Sequence, residues 1–457
     1  MREKKVLLII ESCNPELSSV PLVGYNFYKA IKRFSNVHLV THCRNRGALT
    51  RCGVLSNVTY YEQTTFEILY YKFICFLSTY RGQVIWPIRH ALQFPIYFFF
   101  DKFVHKKFAS SVGKGEFDIV HALTPILPRF PYKISHSCKD GAVKTPFIIG
   151  PVNGGVPYPK GFKDVARREF SYLNFIRKIG KWLVPGYRKT YERADVILSG
   201  STYTLNFIKK IFPHTSDRIK LMYENGVSDS FFRDDALYTT RRRGPTLADG
   251  DAGHENGHTS DKFQLLFLGR IEPYKGCDMI VDALGQLTAV ERSLLKLIIV
   301  GEGSQRFELE KLVAKYGLEE VVEFKGWIDH SEVSSEYASA DLFCFPSLRE
   351  FGGAVVMEAM ASGLPCVVVD NGGIGEYVTE TTGVKIKPHD RAYVVQKLKD
   401  IILSFSSRTE NYEKMRAAAA RRARTFSWDN KSLELEAIYS GVLVGSSGKT
   451  GELISSV

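Results

Sequence analysis

Two α/β domains, each built on a parallel sheet with crossover helices, are what this sequence predicts. Three observations carry that reading. Short apolar runs ending in glycine or polar loops alternate with helix-period stretches along the chain. A length of 457 residues is long for one core and comfortable for two. A hydrophobic content of 44% is enough to fill both.

The first run, VLLII at 6–10, follows a charged start, MREKK. Five apolar residues are too few for a signal-peptide core and suit a buried first strand. A polar loop reaching Gly24 then leads into a helix expected over Tyr25–Arg33. FDIVHALTP at 117–125, PFIIGPVNGG at 146–155 and ADVILSGS at 194–201 read as further strand ends. The halves join near Leu221–Asn225. Residues 239–262 hold one large hydrophobe, Leu247, among Gly, Asp and His, and are expected to form a mobile excursion. His254 and His258 within them are read as loop polar residues rather than metal ligands.

In the second half, Leu265–Leu268 form a strand ended by Gly269; Arg270 and Lys275 project from the loop, and Ile280, Ala283, Leu284 and Leu287 mark the next helix. Open α/β sheets gather ligands at such strand ends. Arg grips phosphate with two parallel bonds, and Lys adds a mobile point charge. The run LFCFP ends another strand at Pro346, and Val355, Val356, Ala359 and Met360 recur at helical spacing until Gly363 and Pro365. Glu350 therefore lies on the loop and Glu358 in the helix's second turn. Gly352 and Gly353 between them let the backbone approach a ligand at a positive helix end, which suits a diphosphate flanked by carboxylates for sugar hydroxyls.

These segments resemble the signature of retaining, nucleotide-sugar-dependent glycosyltransferases of family GT4 and the GT-B fold. ENGVSDSFF (224–232), LGRIEPYKG (268–276), VGEG (300–303), FKGW (324–327), ADLFCFPSLREFGGAVVMEAMASGLPCVV (340–369) and NGGIGE (371–376) occur in the family's order. The resemblance implies two Rossmann-like domains facing each other across a donor-binding cleft. It divides the chain into 1–222 on the acceptor side, 223–427 for the donor, a helix 428–444 crossing back to the first domain, and a tail, 445–457. It implies that Arg270 and Lys275 neutralise the leaving diphosphate. Glu350 and the amides of Phe351, Gly352, Gly353, Ala354 and Val355 would hold sugar and β-phosphate, with Glu358 on the ribose and Gly326–Trp327 near the base. Gly24 corresponds to the family's first-loop glycine. Where many relatives carry a histidine after the PFIIG strand this chain reads GPVNGG, leaving Asn153 as the nearest polar candidate; His121, at an earlier strand end, is an acceptor-side candidate. Phe351 also departs from the pattern, following Glu350 directly instead of standing two residues on.

The implied reaction moves a sugar from a nucleoside-diphosphate sugar to an acceptor hydroxyl with retention, without a metal or other cofactor. A 2-epimerase acting on the donor alone, a phosphorylase, and a non-catalytic sugar-nucleotide-binding protein are the rival readings. Eight scattered cysteines without metal spacing suit reduced thiols in a cytosolic compartment.

The formal charge is +12, and two stretches concentrate it. Residues 66–108 carry six Lys/Arg against Glu67 and Asp101 amid a heavy aromatic load; residues 158–193 carry ten Lys/Arg against three acids. No run reaches the ~18 apolar residues that span a bilayer. Cations interleaved with Trp, Tyr and Phe suit an anionic membrane surface, so the expectation is a peripheral protein on the inner face of the plasma membrane with a lipid-linked saccharide as acceptor. The alternative is aromatic core beneath a solvated basic face. Nucleic acid is not an expected partner, since no recognised module is present.

Overall fold

The computed structural model describes residues 3–80, 83–174, 184–232, 262–408 and 410–451. Apart from Lys262, the expected excursion at 239–262 lies outside them, as does the tail beyond Gly451.

The strands in chain order are β1 (Lys5–Ile10), β2 (Asn36–His42), β3 (Val58–Tyr61), a short antiparallel pair β4 (Thr79–Tyr80) and β5 (Gln83–Val84), β6 (Ile119–Thr124), β7 (Phe147–Val152), β8 (Val196–Ser199), β9 (Ile219–Leu221), β10 (Phe263–Leu268), β11 (Leu295–Val300), β12 (Val322–Gly326), β13 (Leu342–Phe345), β14 (Cys366–Val369) and β15 (Gly383–Ile386). Apart from the β4-β5 pair, they form two fully parallel sheets, ordered β3-β2-β1-β6-β7-β8-β9 and β12-β11-β10-β13-β14-β15. Strands such as VLLII and LFCF are buried along their length because helices cover both faces. In each sheet the order reverses beside the first strand, between β1 and β6 and between β10 and β13. Right-handed crossovers leaving in opposite directions then put helices on opposite faces, and a crevice opens at the strands' C-terminal ends.

The chain divides into two compact units: Met1–Gly155 with Glu169–Glu224 and Trp428–Val457, and Val156–Arg168 with Asn225–Ser427. The segment Val156–Arg168, read from sequence as part of the first domain, packs within the second. Val156 and Phe162 are buried there, Asn371 Nδ2 donates to the Pro157 carbonyl (3.1 Å), and Gly161 lies so close to the His389 carbonyl that a Cβ would sit 1.8 Å from it.

Within the first unit the last helix, Trp428–Gly451, runs past the expected end at 444. Leu435, Ile438 and Tyr439 join the core of β1 and the helix Val20–Lys32, and Trp428 meets Phe27 edge-on at 5.3 Å. That first helix starts at Val20 rather than Tyr25. Pro21 occupies its first turn, where no N–H partner is needed, so a residue that reads as a loop signal begins the helix. The aromatic stretch 66–108 divides. In helix Phe94–Gly113, Tyr97, Phe100, Val104 and Phe108 are core, whereas helix Thr65–Leu77 leaves most of its large hydrophobics in solvent. All eight cysteines are unpaired.

Candidate functional site

The two loops singled out by sequence leave β10 and β13, neighbours in the second sheet and the strands that flank its reversal point. Pro273–Lys275 makes a single turn, and Gly276 follows with φ 72°, its Cα against the Pro346 carbonyl at the tip of β13; a Cβ there would lie 2.5 Å from that oxygen. Leu348 N–H and Ser347 Oγ both donate to the Tyr274 carbonyl, at 2.8 and 3.3 Å. The tips of β10 and β13 are thus stitched together through the backbone.

This stitching places Lys275 against Glu350. Lys275 Nζ donates to Glu350 Oε2, and the two side chains are only 11% and 16% exposed. Lys275 Nζ also lies 4.9 Å from the centre of the Phe345 ring and 5.3 Å from that of Tyr274, whose faces favour a cation. Lys275 is therefore enclosed rather than projecting into solvent. Arg270 is exposed, and its Nη2 donates to Tyr274 Oη at 2.6 Å. Tyr274 orients both cations; nothing in EPYKG except its place between Glu272 and Lys275 signals that.

After Glu350 the chain turns through Gly352 and Gly353 into helix Ala354–Ala361. Gly353 is its N-cap, left-handed at φ 48° and without a capping side chain; Val356 N–H donates to the Gly353 carbonyl at 3.0 Å, so Ala354 and Val355 are the helix amides placed to meet another acceptor. A second loop supports this turn from below. Gly373 N–H donates to the Glu350 carbonyl at 3.2 Å, and Gly372 (φ 86°) lies where a Cβ would be 2.1 Å from the same oxygen. The NGG run at 371–373, a weak motif by itself, is the floor of the Glu350 loop.

The displaced Phe351 has a physical role. The Arg349 guanidinium lies 5.1 Å from the Phe351 ring centre and 5.2 Å from that of Tyr158, and its Nε donates to the Val156 carbonyl at 2.9 Å. Phe351 is one plate of an Arg349 clamp that ties segment Val156–Arg168 to the loop. In the next helix Glu358 accepts from Tyr337 Oη at 3.1 Å; burial, then the Glu358 carboxylate, push that phenol well above its ordinary range. Gly326 ends β12 with φ 70°, and Trp327 beyond it is 72% exposed. Arg270, Lys275, Gly326, Trp327, Glu350 and the Gly352–Val355 turn thus follow the C-terminal ends of strands in one sheet.

The first-unit candidates are used otherwise. Gly24 lies inside helix Val20–Lys32, where a Cβ would fall 2.3 Å from the Ser12 carbonyl; it packs helix on strand rather than opening a loop. Asn153 is buried, its Oδ1 accepting from Ser201 Oγ and Thr204 Oγ1, both at 2.9 Å. His121 is fully buried with both ring nitrogens engaged: Nε2 faces the Gly150 carbonyl at 2.6 Å and so carries the proton, while Nδ1 accepts from Tyr439 Oη at 2.7 Å. This corrects its placement as an acceptor-side group.

Burial lowers the His121 pKa from 6.5 to about 4. The unfolded chain takes up a proton near pH 6.5 that the folded chain refuses until about pH 4. Stability is therefore fully present above that window and falls through it on acidification, by about 3 kcal/mol. Denaturant midpoints measured from pH 7 to about 4.5 are expected to fall less steeply in His121→Gln than in the parent chain.

Among the described residues, no group of three or more His, Cys, Asp or Glu is placed to hold a metal ion. His254 and His258 lie outside those residues.

Residues 252–422 match the family model described as glycosyl transferases group 1. An uncharacterized glycosyltransferase of Methanocaldococcus jannaschii is 27% identical over 257 residues, 55% of this chain and 61% of that one. The D-inositol 3-phosphate glycosyltransferase of Jonesia denitrificans is 32% identical over 193 residues, 41% of this chain and 45% of that one. The chain thus spans about half the length of the curated relatives it matches. Among solved structures, a glycosyltransferase of Rickettsia africae aligns with a TM-score of 0.62 at 16% identity, covering 97% of this chain and 99% of that one. Anabaena HepE in complex with UDP aligns at 0.57 and 17% identity, covering 99% and 100%. The lipopolysaccharide outer core galactosyltransferase WaaB aligns at 0.59 and 15% identity, covering 96% and 99%. At these identities the likeness is one of fold, the two parallel α/β sheets of GT-B proteins.

Proposed function

We propose that this chain, a member of the glycosyl transferases group 1 through its residues 252–422, transfers a sugar from a nucleoside-diphosphate sugar to an acceptor hydroxyl. The observation that carries this reading is the meeting of Lys275, Glu350 and the amide-lined turn Gly352–Ala354 at the reversal point of the second sheet, with Arg270 beside them. Breaking the anomeric C–O bond leaves positive character on the sugar and negative charge on the departing diphosphate. Donors fixed in advance around that charge are usually the largest catalytic contribution. Arg270 and Lys275 supply cations, the first turn of helix Ala354–Ala361 supplies amides, and Glu350 orients Lys275 and faces the sugar. Glu358, held by Tyr337, takes the ribose. The charge on the diphosphate is met by these groups, so the transfer is metal-independent in this reading.

Transfer is retaining in this reading. The new acceptor C–O bond forms on the face from which the phosphate leaves, and the acceptor proton passes to the departing phosphate oxygen. The acceptor is a lipid-linked saccharide of surface polysaccharide assembly. Support for the donor comes from the HepE structure, which holds UDP, and for the acceptor class from WaaB, a lipopolysaccharide outer core galactosyltransferase.

A thermal-shift screen over nucleoside-diphosphate sugars, followed by nucleotide-release assays with and without lipid extract, tests the reading. The expected outcome is one preferred donor, acceptor-dependent release, and no loss of rate with a chelator. Conversion of donor alone would indicate an epimerase; binding without release would indicate a scaffold.

A further inference from the structure

Helix Thr65–Leu77 in the first unit turns its apolar side outward. Phe66, Leu69, Phe73, Phe76 and Leu77 are 64%, 60%, 55%, 78% and 47% exposed, and their spacing sets them in one stripe about 100° wide. A narrow side next to the stripe anchors the helix, while Ile68 and Tyr71, off the stripe, are also 44% and 43% exposed. Ile74 is fully buried, and the buried Glu67 carboxylate accepts from Tyr61 Oη at 2.6 Å and from the Thr64 N–H at 2.9 Å. Tyr70 Oη donates to the Leu92 carbonyl at 3.1 Å. The helix is thus fixed along its polar-anchored side and leaves its largest side chains in water, the reverse of a core-facing helix. Isolated exposed hydrophobics are ordinary, but a contiguous stripe marks a surface that meets something apolar.

The charges say what that is. Both acids of the 66–108 stretch, Glu67 and Asp101, are buried, so among its described residues the exposed charge is cationic: Lys72 on the helix itself and Lys102, Lys106 and Lys107 beyond it. Two copies meeting through this stretch would bring like charges together. An anionic bilayer offers both the apolar layer and the opposite charge. The helix also begins just after the C-terminal end of β3, at the same end of the first sheet as the C-terminal ends of β1 and β6, between which the strand order reverses. No helix among the described residues is long and apolar enough to cross a membrane, so contact of this kind is interfacial.

We propose that helix Thr65–Leu77 lies flat on anionic lipid, with the Phe66–Leu69–Phe73–Phe76–Leu77 stripe at the acyl boundary and Lys72 among the headgroups. The inference goes beyond the transfer reaction and stands whether or not the second unit binds a sugar nucleotide.

The test uses the full chain, its molar mass in solution, and sedimentation with phosphatidylcholine vesicles that contain or lack about one-third phosphatidylglycerol. The chain is expected to be monomeric, to pellet with the anionic vesicles, and to be released by salt. Phe73→Ser/Phe76→Ser changes only exposed positions, so its melting temperature is expected to match the parent while vesicle affinity falls on the order of tenfold or more. Lys72→Glu is expected to weaken binding to anionic vesicles alone. Equal binding by the double variant, equal binding of the parent to both vesicle types, or a dimeric parent that becomes monomeric in the double variant would overturn the proposal. The donor thermal shift, read in parallel, reports on the second unit separately.

Discussion

Lys275→Ala is expected to lower kcat on the order of 10²–10³-fold, the usual consequence of deleting one donor to a developing oxyanion. The structure adds a second consequence. Lys275 is the cation paired with a Glu350 side chain that is only 16% exposed, so its removal leaves a poorly hydrated carboxylate without its counter-charge, with Ser347 Oγ as a long donor at 3.5 Å. Loss of one partner from an enclosed ion pair costs on the order of 3 kcal/mol. Stability and rate can be separated by Lys275→Met/Glu350→Gln, which removes both charges: the melting temperature is expected to recover while turnover does not. Arg270→Ala, at an exposed position, is expected to lower turnover over the same range with little change in stability. Near-parental turnover in both single variants would remove the two cations from the mechanism.

Gly372→Ala is the second change with a large expected effect, although residue 372 carries no chemistry. Its φ of 86° disfavours any Cβ, and that Cβ would lie 2.1 Å from the Glu350 carbonyl. Held backbone strain of this sort costs about 1–3 kcal/mol. Relief of the overlap needs residue 372 and the Glu350 carbonyl to move apart, which breaks the contact that holds the Glu350 loop and the Gly352–Ala354 turn in place. A displacement of about 1 Å in a positioned group can cost on the order of 10²-fold in rate. The variant is therefore expected to stay folded by circular dichroism, to melt lower, and to lose most turnover. Full activity would show that the NGG loop does not set the Glu350 geometry.

The parts of this site that sequence reveals are those written locally. An apolar run, a glycine and then cations or a Glu-Gly-Gly turn identify the ends of β10 and β13, because burial of a parallel strand and exposure of its tip leave a composition change at one point in the chain. Contacts between distant segments leave no such mark. Tyr337 reaches Glu358 from the preceding helix, and Tyr274 serves Arg270 through its hydroxyl while its carbonyl holds the β13 loop. Val156–Arg168 joins the second unit through Arg349 and Asn371, residues far along the chain. His121 follows the same logic in reverse: a histidine at a strand end looks available until Gly150 and Tyr439, from two other elements, are seen to occupy both nitrogens. Helices Thr65–Leu77 and Phe94–Gly113 have similar aromatic composition, and only packing separates the exposed one from the buried one.

The most direct test is calorimetric: titrate the preferred nucleoside diphosphate and its monophosphate into the parent chain and into Lys275→Ala. If Lys275, Arg270 and the Gly352–Ala354 amides close on one pyrophosphate, the parent should bind the diphosphate at least about tenfold more tightly, and the variant should lose most of that preference while keeping its affinity for the monophosphate. Equal affinity of the parent for both nucleotides, or a preference untouched by removing Lys275, would contradict the account.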